Sequence, residues 1–152
     1  MSTRFPLQPV MDIARNSADA ATMRLGQAMQ RLMNADRQLQ TLLKYREEYQ
    51  SKFRDSVTSG IDSARWRNFH LFLAKLDAGI EGARAQADAA REAAKRAQAD
   101  WQDQQRKLKA YDVLAARHER AHQTLTARRE QRETDDQAAN SFSRNPSAHR
   151  LR

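Results

Sequence analysis

From Val10 to Asn145 the chain contains no proline. Proline fixes φ and removes an amide donor, so it interrupts both helices and central strands. A run this long without it can belong to long helices or to a sheet. Ala occupies 26 of the 152 positions, whereas Val and Ile together occupy six. That balance is rich in strong helix formers and poor in the β-branched residues that strands favour. A sheet domain is excluded on these grounds. Four glycines and no cysteine leave no material for a Gly-rich phosphate loop, a disulfide framework or thiol catalysis. The length permits one domain.

The one break inside the proline-free run is Val57-Thr58-Ser59-Gly60-Ile61-Asp62-Ser63. Gly60 can adopt the left-handed conformation that ends a helix. Asp62 or Ser63 can cap the next one. The predicted layout is a flexible N-terminus over 1–8, a first helix over 9–57 and a turn over 58–62. A second helix follows over 62–138, then a disordered polar tail over 139–152.

Apolar residues recur in alternating steps of three and four. In the first helix the positions are Met11, Ala14, Ala18, Ala21, Leu25, Ala28, Leu32, Ala35, Leu39, Leu42, Arg46, Tyr49, Phe53 and Ser56. In the second they are Trp66, Phe69, Leu73, Leu76, Ile80, Ala83, Ala87, Ala90, Ala94, Ala97, Trp101, Gln104, Leu108 and Tyr111. These are the a and d seams of a coiled coil. A short turn makes consecutive helices antiparallel neighbours. The fold class is therefore all-α: a two-helix antiparallel coiled-coil hairpin with a longer second helix overhanging the first. Folding at residues 59–60 places residue i opposite about residue 119 − i. The overhang would then begin at about residue 112, where the seam also fades into Ala115, His118, His122, Leu125, Arg129 and Arg132. Each arm of roughly 50 residues would span about 75 Å. The Ala-rich middle, 83–97, buries little area, so the layers near the turn must supply more of the stability.

The net charge of +8 is spread out, with acidic residues interleaved. A nucleic-acid-binding stripe would cluster it, so no nucleic-acid partner is expected. No apolar run approaches the roughly 20 residues of a membrane span, and no secretory signal is visible at the N-terminus. His118-Glu119-Arg120-Ala121-His122 matches the H-E-x-x-H zincin pattern. A catalytic zinc site also needs a third ligand from another element and a cleft. The downstream carboxylates Glu130 and Glu133 only continue the same helix, so the match is read as coincidence. No enzyme, metal, cofactor or small-molecule substrate is expected.

Two features remain beyond the seam. Near the turn the apolar residues exceed what a and d positions need. Tyr45 and Phe72 fall at g positions, and the hairpin brings them together on one side. They are either a locally widened core or an aromatic partner patch, since aromatics concentrate in interface hot spots. The overhang, in turn, is either a frayed helix or a segment awaiting a partner's groove.

The segments Leu42-Leu43-Lys44-Tyr45-Arg46-Glu47-Glu48-Tyr49, Trp66-Arg67-Asn68-Phe69 and Phe72-Leu73-Ala74-Lys75-Leu76-Asp77, with Phe5, Leu7, Asp12-Ile13-Ala14, Gly60, Ile80, Trp101 and Lys107-Leu108, resemble the FliJ family of flagellar export proteins over residues 5–138. The resemblance implies a non-enzymatic coiled-coil stalk or adaptor of type III protein export, similar to the central stalk of rotary ATPases. It implies a hexameric export ATPase, the cytoplasmic domain of the export gate and export chaperones as partners. The gate-facing residues would be Leu42, Tyr45, Tyr49, Phe72 and Leu76. The residues facing the ATPase ring and chaperones would be Met11, Arg15, Arg117, Arg120, Leu125, Arg128 and Arg129. The implied location is the cytoplasm, peripheral to the membrane at the flagellar base, and the free chain would be a monomer. Alternatives are the injectisome counterpart, a basic coiled-coil nucleic-acid binder and a parallel-dimer scaffold.

Overall fold

The computed structural model describes residues 4–145. Among them are two helices, α1 (Gln8–Thr58) and α2 (Ser63–Arg144), and no strand. They pack against each other as a hairpin. Pro9 sits in the first turn of α1, where a missing N–H costs nothing. The Gln8 amide donates to the Phe5 carbonyl at 3.0 Å, which starts the turn.

α1 ends through Gly60, the one residue with positive φ (85°) among the described residues; its amide donates to the Val57 carbonyl at 3.1 Å. Asp62 then caps α2: its Oδ1 accepts the Arg65 amide at 2.8 Å. This is the N-cap-to-N3 bond that satisfies one of the open donors of a helix start. At the other end, α2 continues through residues 139–144, which the sequence assigns to a tail. Ser141 and Ser143 turn their hydroxyls back to donate to the Ala138 and Asn140 carbonyls, so these polar residues are accommodated in the helix. α2 stops two residues before Pro146, as the steric restriction ahead of proline requires. The remainder of the predicted tail, 146–152, and residues 1–3 lie outside the described residues.

The chain divides into two compact units, one of Asn16–Gln105 and one of Met1–Arg15 with Arg106–Arg152. In the Asn16–Gln105 unit the core is Ala18, Ala21, Phe69, Leu76, Ile80, Ala83, Ala87 and Ala94, all buried. Seam positions from 18 to 53 and from 69 to 104 are buried or half-buried, and nearly all other positions are exposed. Trp66 and Ser56 depart from the predicted seam; both are exposed. They face each other by register, and a serine offers the indole no apolar wall. Trp66 packs on His70 instead, ring centroids 4.0 Å apart.

The register also differs from 119 − i. Phe53 pairs with Phe69, Arg46 with Asp77, and Thr22 with Trp101. Residue i therefore faces about residue 122 − i, close to one helical turn from the predicted position. Under that rule each a or d position of α1 meets an a or d position of α2, so apolar burial selects it. Ion pairs flank the seam: Arg24–Asp100 at 2.8 Å, Asp36–Arg91 at 3.3 Å and Arg46–Asp77. They are partly exposed, and such pairs contribute at most about 1 kcal/mol each.

In the other unit Met11 is buried, Arg15 lies 4.0 Å from Asp112, and the Phe5 and His118 rings are 5.4 Å apart. Ala115, His118 and His122 are half-buried. The predicted overhang boundary at about residue 112 is thus too early. The register shift and Phe5, ahead of α1, extend the covered part of α2 to about His122. Every residue from 123 to 145 is exposed.

Candidate partner-binding site

Within Asn16–Gln105, Tyr45, Tyr49 and Phe53 follow one another at i,i+4 and so share a face of α1. Phe69 and Phe72, at i,i+3, present rings to them from α2. Phe53 stacks on Phe69 with centroids 3.6 Å apart and planes 6° from parallel. Tyr49 stacks on Phe69 at 5.0 Å and meets Phe72 at 4.6 Å. Tyr45 meets the edge of Phe72 at 6.2 Å. His70 continues the row, edge-on to Phe53 at 5.9 Å and against Trp66. Face-to-face and edge-to-face pairs of this kind add to area burial because the ring quadrupoles attract.

Exposure is graded along this row. Phe69 is 7% exposed, Phe72 38%, Tyr45 47% and Trp66 50%. The buried rings fix the positions of the exposed ones, which gives a pre-organised apolar surface. Arg46, a seam position, turns to the other flank. Its guanidinium makes two bonds to the Asp77 carboxylate and a third to Gln50 Oε1 at 3.2 Å. The bond to Asp77 raises the Arg46 pKa further, so a fixed charge pair stands on the flank opposite Tyr45 and Phe72.

The predicted gate-facing residues separate into two groups. Tyr45 and Phe72 are exposed, Leu42 and Tyr49 half-buried, and Leu76 buried. Leu76 belongs to the seam and supports the surface without being part of it. Of the predicted ATPase- and chaperone-facing residues, Met11 is likewise buried, because it is an inward seam position. Arg15, Arg117, Arg120, Leu125, Arg128 and Arg129 are exposed. Phe53, Phe69 and His70 also belong to the ring row, beyond the residues expected from the g positions; the i,i+4 spacing of Tyr45, Tyr49 and Phe53 is its signal in the sequence.

His118 of the H-E-x-x-H match packs on Phe5. Among the described residues no three His, Cys, Asp or Glu side chains come together as a metal site. No helix among them is long and apolar enough to cross a membrane.

A two-helix hairpin with an aromatic surface by its turn defines a coiled-coil protein whose recognisable features lie on its outside. Comparisons with known proteins agree with that class. Residues 3–147 match the family model "Flagellar FliJ protein". The flagellar FliJ protein of Salmonella typhi is 28% identical over 146 residues, covering 96% of this chain and 99% of that one. The flagellar FliJ protein of Escherichia coli K12 is 26% identical over the same span. The solved structure of CT670 from Chlamydia trachomatis, described as a YscO homologue, superimposes with a TM-score of 0.64 at 15% identity, covering 97% of this chain and all of that one. That likeness is one of fold. The chain belongs to the FliJ family of flagellar proteins.

Proposed function

We propose that this protein is a non-enzymatic adaptor of the flagellar type III export apparatus that binds the hexameric export ATPase, the cytoplasmic domain of the export gate and export chaperones. It acts in the cytoplasm, at the membrane face of the flagellar base, and is a monomer when free. Family membership supplies the setting. The observation that carries the adaptor reading is the pairing of two different exposed features. One is the aromatic row by the turn, with Tyr45 and Phe72 half in solvent. The other is the exposed end of α2 from residue 123.

Aromatic side chains held rigid by neighbours suit a protein interface, because little rotamer entropy is lost on docking. They are assigned to the gate. The α2 end carries Arg128, Arg129 and Leu125 on a helix whose own chain covers none of them. A lone helix in water is marginal, and a partner's groove supplies the missing contacts. This end is assigned to the ATPase ring and chaperones. The flagellar reading is preferred to the injectisome one because the family match is to flagellar proteins.

Deleting residues 123–152 removes no buried or half-buried described residue. Its expected result is unchanged thermal unfolding with at least tenfold weaker binding to the ATPase hexamer, measured by biolayer interferometry. Wild-type binding by the truncated chain would remove the α2 end from the interface.

A further inference from the structure

A second surface lies by the same turn and shares only Tyr49 with the gate-facing assignment. It is an open groove of about 350 Å³ between the ends of the two helices. The stacked Phe53 and Phe69 rings line it. Ile61, half-buried in the turn, closes one side. Lys52 from α1 and Arg65 from α2 stand at its rim, with Asn68 beside them.

The two cations are the informative part. Three arginines of this unit are paired across the hairpin, Arg24 with Asp100, Arg46 with Asp77 and Arg91 with Asp36. The Lys52 and Arg65 side chains have no acidic partner among the described residues; Asp62, the nearest acid in sequence to Arg65, spends its Oδ1 on the Arg65 backbone amide as a helix cap. Two uncompensated cations over an apolar floor are complementary to an apolar side chain flanked by carboxylates. Arg65 can hold a carboxylate with a two-pronged fork, and Asn68 can bond a peptide backbone.

We infer that this groove binds an acidic segment of a partner protein, seating one large apolar side chain on Phe53 and Phe69 and its neighbouring carboxylates on Lys52 and Arg65. Single-stranded nucleic acid would use similar chemistry, stacking a base on the rings. It is the poorer match, because a phosphate backbone needs cations along its whole path, and the groove's lining offers two, Lys52 and Arg65.

The test uses the full-length chain and a fluorescein-labelled hexapeptide, Asp-Glu-Phe-Leu-Glu-Asp, with a Lys-substituted version of the same peptide and a ten-nucleotide oligo-dT as comparisons. Fluorescence anisotropy is expected to show saturable binding of the acidic peptide, weakening as salt is raised, and no saturable binding of the basic one. Lys52→Glu with Arg65→Glu is expected to weaken it about tenfold, since attraction at an exposed rim is replaced by repulsion. Circular dichroism should show unchanged helicity. Tyr45→Ala with Phe72→Ala, which alters the gate-facing surface, is expected to leave peptide binding intact, so failure of either assignment is distinguishable from failure of the other. Equal binding of acidic and basic peptides, tighter binding of oligo-dT, absence of peptide binding, or indifference to the charge reversal would each overturn the inference.

Discussion

Phe69→Ala is expected to lower the unfolding free energy by about 3 kcal/mol, the low end for truncating a buried phenylalanine. Phe69 is the most buried aromatic ring in the chain, and it stacks on both Phe53 and Tyr49. Its loss removes apolar burial and two ring pairs together. The low end applies because a two-helix seam has solvent on its flanks, and neighbouring side chains can partly close the gap. In a chain of this size that change lowers the melting temperature by roughly 10 °C. Trp66→Ala supplies the contrast. Trp66 is larger, but half of it is in water, so its truncation should cost less than about 1 kcal/mol. Urea unfolding followed by circular dichroism measures both. A Phe69→Ala effect no larger than that of Trp66→Ala would mean that the ring row does not hold the turn end of the hairpin together.

Tyr45→Ala with Phe72→Ala is expected to weaken binding to the gate's cytoplasmic domain by a hundredfold or more, since buried aromatic anchors each carry about 2 kcal/mol or more at hot spots. Both rings are substantially exposed in the free chain and meet edge-on at 6.2 Å. Their removal should therefore disturb folding little. Titration calorimetry against the gate domain reads the affinity, and motility in soft agar reads the consequence. Near-normal affinity together with normal swarming would take this surface out of the gate interface.

Much of this architecture could be read from residue types alone. The period of three and four placed Met11, Ala18, Ala21, Leu76, Ile80, Ala83 and Ala87 inside, and the structure buries each of them. Heptad g positions put Tyr45 and Phe72 on one flank, where their rings meet. Met11 and Leu76 were also seam residues by period. Only family resemblance placed them among partner contacts, and their burial follows the period.

The register is legible too, in the two seams and not in the turn. The two seams mirror each other about residue 61: Phe53 against Phe69, Arg46 against Leu76, Ala21 against Trp101. Folding on Gly60 follows the turn alone, which places the overhang boundary at about residue 112 where the mirrored seams place it near His122. Other features were not legible. The exposure of Trp66 depends on the wall that faces it. The helix through 139–144 depends on serine hydroxyls choosing carbonyls of their own helix over turn conformations, a choice that composition does not determine.

An adaptor with two exposed surfaces should hold two partners at once. Sedimentation velocity of the full-length protein mixed with the export ATPase hexamer and the gate's cytoplasmic domain reads this out. A single fast boundary containing all three proteins is expected, lost when this chain is omitted. Two separate binary complexes that compete for the chain, with no ternary species at saturating concentrations, would contradict it.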